Sequence, residues 1–477
     1  RFRRWNRGHR RISYDKEKHI MGNPKHKTET VDMTTGNPGR RILYFALPMI
    51  FGNVVQQLYS MVDSAVVGRF VGKQALASVG ATMSVLNLVI FVIIGLTVGT
   101  CIVTSQYFGA GDIEMVKNTA GAAVYISFGM WIVIALLGAA VSLPVLRALN
   151  TPADIIQGAH TYLVINTVTS LAPIVYNMTA YIMSSLGDSK GLTYSLICSS
   201  VLNIILDLIF VICFHWGVAG VAWATVISEA VAALVNLHRI RTRHPVLSLS
   251  KTNLMVKAPI IRRILSVGIP VSIQNAVSAV GMLGIQGMVN QYGTNTVAAY
   301  TAANKIDQIA IRPLDSMGTA FSTYVGQNYG KGDTKRIKAG VKAGLFQSAG
   351  MGLILMAVIL PLGSILPQLF LKPNETEAIH IAQEYLRTVA LFYWICGIQY
   401  IMLNLFRGMG SMKISTFSSC LEPIVKLCAA WILGTVFGRS ALWFAWPRVW
   451  AAAMIFPTVC FLRGRWQKKV PEIRSGD

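Results

Sequence analysis

Residues Ala75 to Thr104 read ALASVGATMSVLNLVIFVIIGLTVGTCIVT, without a single Asp, Glu, Lys or Arg. The stretch exceeds the roughly 18 to 20 residues that cross a bilayer as an α-helix. Polar and apolar residues do not alternate along it, as they would in a barrel strand. A backbone inside lipid satisfies its own polar groups only as a helix or a closed barrel, so this run is a membrane-spanning helix. Thr119 to Val145 and Leu345 to Phe370 are equally free of charge and read the same way.

Working outward, the whole chain shares this character. Of its 477 residues 53% are hydrophobic and 13% charged, against roughly 25% charged in an average soluble domain. Cutting at charge clusters and at Gly, Pro, Asn and Asp punctuation predicts an all-α polytopic membrane protein of twelve transmembrane helices. They cover 44–68, 76–104, 119–146, 159–186, 192–213, 218–238, 264–290, 295–325, 337–366, 380–407, 414–437 and 441–462.

Lys and Arg alternate between the two sets of loops. One side holds the N-terminal tail, Lys117, Lys190, the stretch from Arg239 to Arg263, Lys331 to Lys338, Arg407, Lys413 and the C-terminal tail. The other holds Arg69, Lys73, Arg147, Lys372 and Arg439. The positive-inside rule then places both termini in the cytoplasm; the expected location is the cell inner (plasma) membrane. It also accounts for the net charge of +23 through anionic lipid headgroups rather than nucleic acid. The expected organisation is a basic tail over 1–41, an N-lobe over 42–238, a cytoplasmic linker over 239–263, a C-lobe over 264–462 and a basic tail over 463–477. A cleavable signal is not expected, because no apolar segment precedes Ile42. The seven cysteines form no CxxC or Cys/His spacing and read as small buried hydrophobes.

The two halves repeat. Pro48-Met49-Ile50 and Pro270-Val271-Ser272 open the first and seventh spans. SQYFGAGD at 105–112 and GQNYGKGD at 326–333 follow the second and eighth. Leu186-Gly187-Asp188-Ser189-Lys190 corresponds to Met409-Gly410-Ser411-Met412-Lys413. Three pairs in register at an offset of about 221 to 223 residues signal duplication. Six spans per unit keep both copies in one orientation, giving two parallel pseudo-symmetric lobes around a central cleft, a transporter architecture that works by rocking.

Carboxylates within spans are costly, and each needs a reason. Asp63 lies in the first span, and Asn203 and Asp207 share one face of the fifth. Thr225 lies about two turns into the sixth, within reach of the same group. Desolvation and mutual repulsion favour protonating such a carboxylate pair. Asp63 and Asp207 can therefore share a proton or, with the oxygens of Asn203 and Thr225, bind sodium. Glu229 lies toward the cytoplasmic end of the sixth span and reads as interfacial. Asn304, Gln308, Arg312 and Asp315 make a polar stripe on the eighth span, either a wet cleft wall or a set of internal ion pairs. Glu422 reads as the i,i+4 partner of Lys426 or as a cleft acid. Gln57, Tyr176, Asn177, Tyr181 and Gln274 complete the cleft candidates, with Pro173 expected to kink the fourth span.

These residues resemble the multidrug and toxic compound extrusion (MATE) family, particularly its bacterial DNA-damage-inducible-F-like branch. The resemblance begins near Met33 and covers nearly all of the chain. Its most specific stretches are Phe45-Ala46-Leu47-Pro48, the run from Gln56 to Gly72, Ala75-Leu76-Ala77-Ser78-Val79-Gly80, Asn203 with Asp207, and Gly217 to Thr225. It implies a secondary antiporter that exports organic, often cationic or amphipathic, compounds against inward proton or sodium flow. It also implies that Asp63, Asn203, Asp207 and Thr225 form a first-lobe cation site, with no cofactor beyond the coupling ion. Some branches carry acids in the seventh and tenth spans. Here those spans offer only Gln274, Asn275 and Glu384, so a second-lobe site of that kind is not expected.

The alternative function is a lipid-linked oligosaccharide flippase of related architecture, which would favour a large basic cleft. An enzyme is not expected. HExxH is absent, and GDSKG at 187–191 fits GxSxG only by spacing, between two spans and without the strand that a nucleophile elbow requires. The expected partners are small organic molecules and membrane lipid, with the chain acting as a monomer.

Overall fold

The computed structural model describes residues 31–66, 73–149, 151–250, 252–255, 257–464 and 466–467, with the side chains of residues 58–66, 73, 75 and 76 outside that description. Most of both basic tails therefore lies outside the described residues. Every regular element among those described is helical. The helices are α1 (Pro38–Val66), α2 (Lys73–Gly109), α3 (Ile113–Ala148), α4 (Ile156–Val168), α5 (Leu171–Ser185), α6 (Ser189–Leu208) and α7 (Gly217–Arg243) in the first half. The second half holds α8 (Ala258–Asn290), α9 (Thr294–Gly330), α10 (Thr334–Leu362), α11 (Thr376–Ala390), α12 (Tyr393–Gly408), α13 (Met412–Phe437), α14 (Arg439–Leu442) and α15 (Ala445–Leu462).

Eight spans pass on length and apolarity alone, and two more arise when α4 with α5, and α11 with α12, are each taken as one bent span. Helices α1 and α9 complete the twelve. The polar side chains of α9 keep it from looking apolar. The bent spans break at Thr169–Ser170 and at Leu391–Phe392, by 48° and 52°. These breaks occupy equivalent places in the two repeats. The first falls just before Pro173 and the second has no proline, so the break belongs to the repeat rather than to one residue.

The repeated loop sequences have a shared physical cause. Gly111 and Gly332 adopt φ of 74° and 77°, the left-handed region that glycine enters without a Cβ penalty. Asp112 and Asp333 follow and cap the next helix, accepting from the N–H groups of Met115 and Arg336 at 3.0 and 2.9 Å. The chain thus reverses direction within three residues in both lobes.

Large apolar side chains such as Leu136, Leu283, Phe346 and Phe437 are exposed around the bundle, where lipid replaces water as their solvent. The cysteines follow this pattern and depart from expectation. Only Cys101 and Cys396 are buried; Cys198, Cys213 and Cys428 are exposed, and Cys420 and Cys460 are half-buried. A small apolar thiol is as stable against lipid as in a core, so periodicity could not separate the two.

The lobes meet along the half of the molecule that carries the linker between α7 and α8. Gly95 and Gly99 of α2 cross Ser272 and Gly268 of α8 so closely that a Cβ on Gly99 would stand 2.7 Å from a backbone nitrogen. Each repeat also leans its first helix on the other lobe. Ile42, Phe45 and Met49 of α1 join the C-lobe core around Phe321 and Phe406. Ile260, Ile264 and Val267 of α8 join the N-lobe core around Ile102 and Val103. The end of the expected tail is ordered within this contact. Met33 donates its N–H to Gln327 Oε1 at 3.1 Å, and the Arg336 guanidinium donates to the carbonyls of Met33, Thr35 and Gly36.

Candidate cation site and cleft

In the N-lobe, α6 packs between α1 and α7. Asn203 and Asp207 are 1% and 0% exposed, one turn apart on the buried face of α6. Asn203 Nδ2 donates to Thr225 Oγ1 of α7 at 3.3 Å, and that hydroxyl donates back to Val221 O at 3.1 Å. Asn203 and Thr225 are therefore in contact, with Asp207 one turn further along the buried face of α6. Directly after Leu208 the helix widens into a π turn over Ile209–Cys213, a local irregularity often found beside functional groups. Asp63 belongs to α1, the helix packed on the other side of α6, but its side chain lies outside the described residues.

Beside this group is a small crevice lined by Gln56, Tyr176, Ser200, Thr225, Ser228 and Glu229. Glu229 is thus not an interfacial side chain. It sits near the middle of α7 and one turn from Thr225, in a polar recess shared by α1, α5, α6 and α7. The sequence signal was available in the i,i+4 spacing of Thr225 and Glu229. The Arg-rich end of α7 points toward the surface instead.

The cleft candidates divide. Tyr176 is buried at the crevice, while Asn177 donates to the carbonyl of Pro173 at 2.8 Å within its own helix. Tyr181 is half-buried, and Gln57 is half-buried on α1. Gln274 is no open cleft residue. It is 1% exposed, donates to Thr416 Oγ1 at 2.8 Å and accepts from Arg407 at 2.8 Å, forming a knot between α8, α12 and α13. On α9, Asn304 and Gln308 are half-buried, and Arg312 meets Asp315 at 3.9 Å with side chains 49% and 40% exposed. That pair is too long and too wet to hold the lobe together, which leaves the stripe as an accessible wall. Among the described residues no group of His, Cys, Asp and Glu has metal-site geometry.

The MatE family model matches residues 48–209 and matches again over residues 270–432. The chain belongs to the MATE family. The two matches fall in the two halves, as the internal repeat requires. A relative in Bacillus subtilis, the probable multidrug resistance protein YpnP, is 29% identical over 446 residues, covering 91% of this chain and 97% of its own. The DNA damage-inducible protein F of Escherichia coli is 22% identical over 412 residues, 85% of this chain and 88% of its own. Among solved structures, the outward-facing conformation of a multidrug resistance MATE family transporter has a TM-score of 0.86 at 23% identity, covering 93% of this chain and 99% of that one. At that identity the likeness speaks for the fold.

This MATE chain carries one second-lobe acid that the sequence reading passed over. Asp307 of α9 is 3% exposed and accepts from the hydroxyls of Tyr393 at 2.7 Å and Tyr385 at 3.1 Å. It is flanked by an aromatic cluster of Tyr300, Trp443 and Trp446. The expected Glu422–Lys426 ion pair is not formed within 4 Å. Glu422 accepts from Gln399 Nε2 at 2.9 Å, and the Lys426 ammonium stands over the Trp446 ring at 4.3 Å. A cation over an indole face gains from the ring quadrupole without a carboxylate contact. Asp307 lies about a quarter turn around α9 from the polar stripe, on the buried side, among residues that look like ordinary core.

Proposed function

We propose that this MATE protein is a secondary active antiporter of the plasma membrane, exporting organic cationic or amphipathic compounds in exchange for H+ or Na+ by alternating access. The observation that carries the reading is the buried Asn203–Asp207 face bonded to Thr225. Its oxygen donors suit a proton or a small hard cation, and binding either changes the charge of the first lobe. The names of the curated relatives, probable multidrug resistance proteins, favour drug export over lipid-linked sugar flipping.

The asymmetry of Lys and Arg puts the linker and both termini in the cytoplasm. The lobes then meet on the cytoplasmic half, and the state is outward-facing. A cation arriving from outside reaches Asp63 and Asp207 while drug leaves the cleft. The stripe of half-buried Asn304 and Gln308 with exposed Arg312, together with Glu422 of the second lobe, lines the drug side.

The test is ethidium efflux from proteoliposomes with a proton or a sodium gradient imposed separately. One gradient drives export in the wild type, and Asp63→Asn and Asp207→Asn each abolish the coupling. Undiminished gradient-driven export in both variants would overturn the assignment.

A further inference from the structure

A cation held by Asn203 and Asp207 must cross the rest of the lobe to reach the cytoplasm, and the crevice at Glu229 lies on that side. Helix α6 starts at the linker end with Ser189, and α7 finishes there with Arg243. Ser199 and Ser200 stand one turn before Asn203 on α6, and Ser228 and Glu229 one turn after Thr225 on α7. Both helices therefore place the crevice one turn closer to the cytoplasm than the Asn203–Asp207 face, with Thr225 common to both.

Glu229 has no hydrogen-bond or ion-pair partner among the described residues. A carboxylate at mid-membrane depth without a partner is costly to keep, which makes it a functional group by default. The other lining groups are neutral. Tyr176 comes from α5, Gln56 from α1, serine hydroxyls from α6, and Thr225 and Ser228 from α7 itself. No Lys, Arg or His lines the crevice, so the charge of Glu229 is met by whatever enters.

We propose that Glu229 is a second cation station. It takes the coupling proton or sodium ion from the Asn203–Asp207 site through the hydroxyl-lined crevice and releases it toward the cytoplasm. This rests on the antiport reading above. For a proton, the O–H bond at Asp207 breaks and one forms on a Glu229 carboxylate oxygen, leaving Asp207 ionised for the next arrival. For sodium, the hydroxyls and the Glu229 carboxylate supply the oxygens that the ion exchanges for those of Asp207.

The experiment compares wild type, Glu229→Gln, Glu229→Asp and Asp207→Asn in proteoliposomes. Pyranine inside reports proton entry, a sodium-sensitive dye reports sodium entry, and ethidium reports drug movement. Glu229→Gln is expected to slow drug-coupled cation entry by about tenfold or more, as loss of a positioned proton-transfer group does. Its affinity for ethidium should stay within about twofold of wild type. Raising internal pH accelerates proton-coupled entry in the wild type and leaves Glu229→Gln unresponsive, and Glu229→Asp recovers part of the rate. Wild-type rates and internal-pH response in Glu229→Gln, with Asp207→Asn uncoupled, overturn the station and leave the antiport reading standing. Full coupling in Asp207→Asn removes the station together with Asp207's part in the first-lobe site, while antiport itself stands. Lost ethidium binding with intact cation entry also overturns the station, by making Glu229 a drug ligand. Should Glu229→Gln fail to fold, Glu229→Ala decides on the same terms, an unchanged rate and internal-pH response overturning the station.

Discussion

Gln106 and Gln327 make the same buried hydrogen bond in opposite directions across the lobe interface. Gln106 Nε2 of the N-lobe donates to the carbonyl of Gly408 at 3.0 Å, and Gln327 Nε2 of the C-lobe donates to the carbonyl of Ser185 at 2.9 Å. The two glutamines are repeat mates, and so are their acceptors, so the pair marks the pseudo-two-fold axis at the sealed end. A buried amide bond of this kind is worth about 1 kcal/mol, more when its loss strands an acceptor. Gln106→Ala and Gln327→Ala should each loosen the seal, and the double variant should do so by about 2 kcal/mol. Spin labels on the exposed positions 114 and 335 read the outcome, as a longer distance with a growing open population. An unchanged distribution in the double variant would show that packing alone holds the seal.

Glycine makes that packing possible. A Cβ on Gly109 would lie 1.8 Å from the Gln327 carbonyl oxygen, and one on Gly330 would lie 1.8 Å from that of Gln106. Both obstacles are backbone, which cannot swing aside, so an added methyl forces the helix ends apart at a cost of about 1 to 3 kcal/mol. Gly109→Ala and Gly330→Ala should therefore favour the state open at the linker end. A thiol reagent added from that side should label a cysteine placed at Ser105 faster in either variant. Labelling as slow as in the parent would count against this crossing being the gate.

The duplicated lobes were legible from the sequence because their turns are encoded by residue type. GAGD and GKGD need glycine at positive φ and an aspartate cap, and those features survive when the surrounding helices diverge. Most helix spans were legible from charge together with Gly, Pro, Asn and Asp punctuation, whereas α9 carries Lys305, Asp307, Arg312 and Asp315 within its length. The contents of the polar sites were only half legible. Asn203 meets Thr225 because one stripe of α6, which also carries Asp207, faces one stripe of α7. Gln274 and Asp307 did not reveal themselves, since a buried polar knot depends on partners from helices more than a hundred or about eighty residues away. Helix periodicity says which face a residue occupies and nothing about what waits opposite.

Asp307 offers a prediction specific to the second lobe. Its carboxylate accepts two tyrosine hydroxyls in a buried setting, so Asp307→Ala strands Tyr385 and Tyr393 and leaves a cavity. The loss should be about 3 kcal/mol or more, from unsatisfied donors together with the void. Asp307→Asn keeps an acceptor and the volume and should cost about 1 kcal/mol. Thermal unfolding in detergent ranks the two. Cation-coupled ethidium export by Asp307→Asn should match wild type per folded molecule; uncoupled export would make Asp307 part of the ion machinery.

Asp188 links the start of α6 to the end of α7, and its ionisation should set the acid limit of the first lobe. It accepts from Arg239 Nε at 2.8 Å, from His244 Nε2 at 2.9 Å and from the Gly191 N–H at 2.8 Å. Burial alone would raise its pKa, but the bonds from His244, Arg239 and Gly191 outweigh burial and hold the carboxyl at about 2, below the usual 3.8. A carboxyl depressed in the folded state contributes stability above its unfolded pKa and loses it as pH falls through the folded one. The contribution, about 2 kcal/mol at neutral pH, should therefore fade between about pH 4 and pH 2. Asp188→Asn tests this cleanly, because asparagine still caps α6 and only the charge is lost. At pH 7 the variant should melt a few degrees below wild type. The gap should close as pH drops below 4, and equal melting curves at pH 7 would show that the Arg239–Asp188–His244 cluster contributes no net stability.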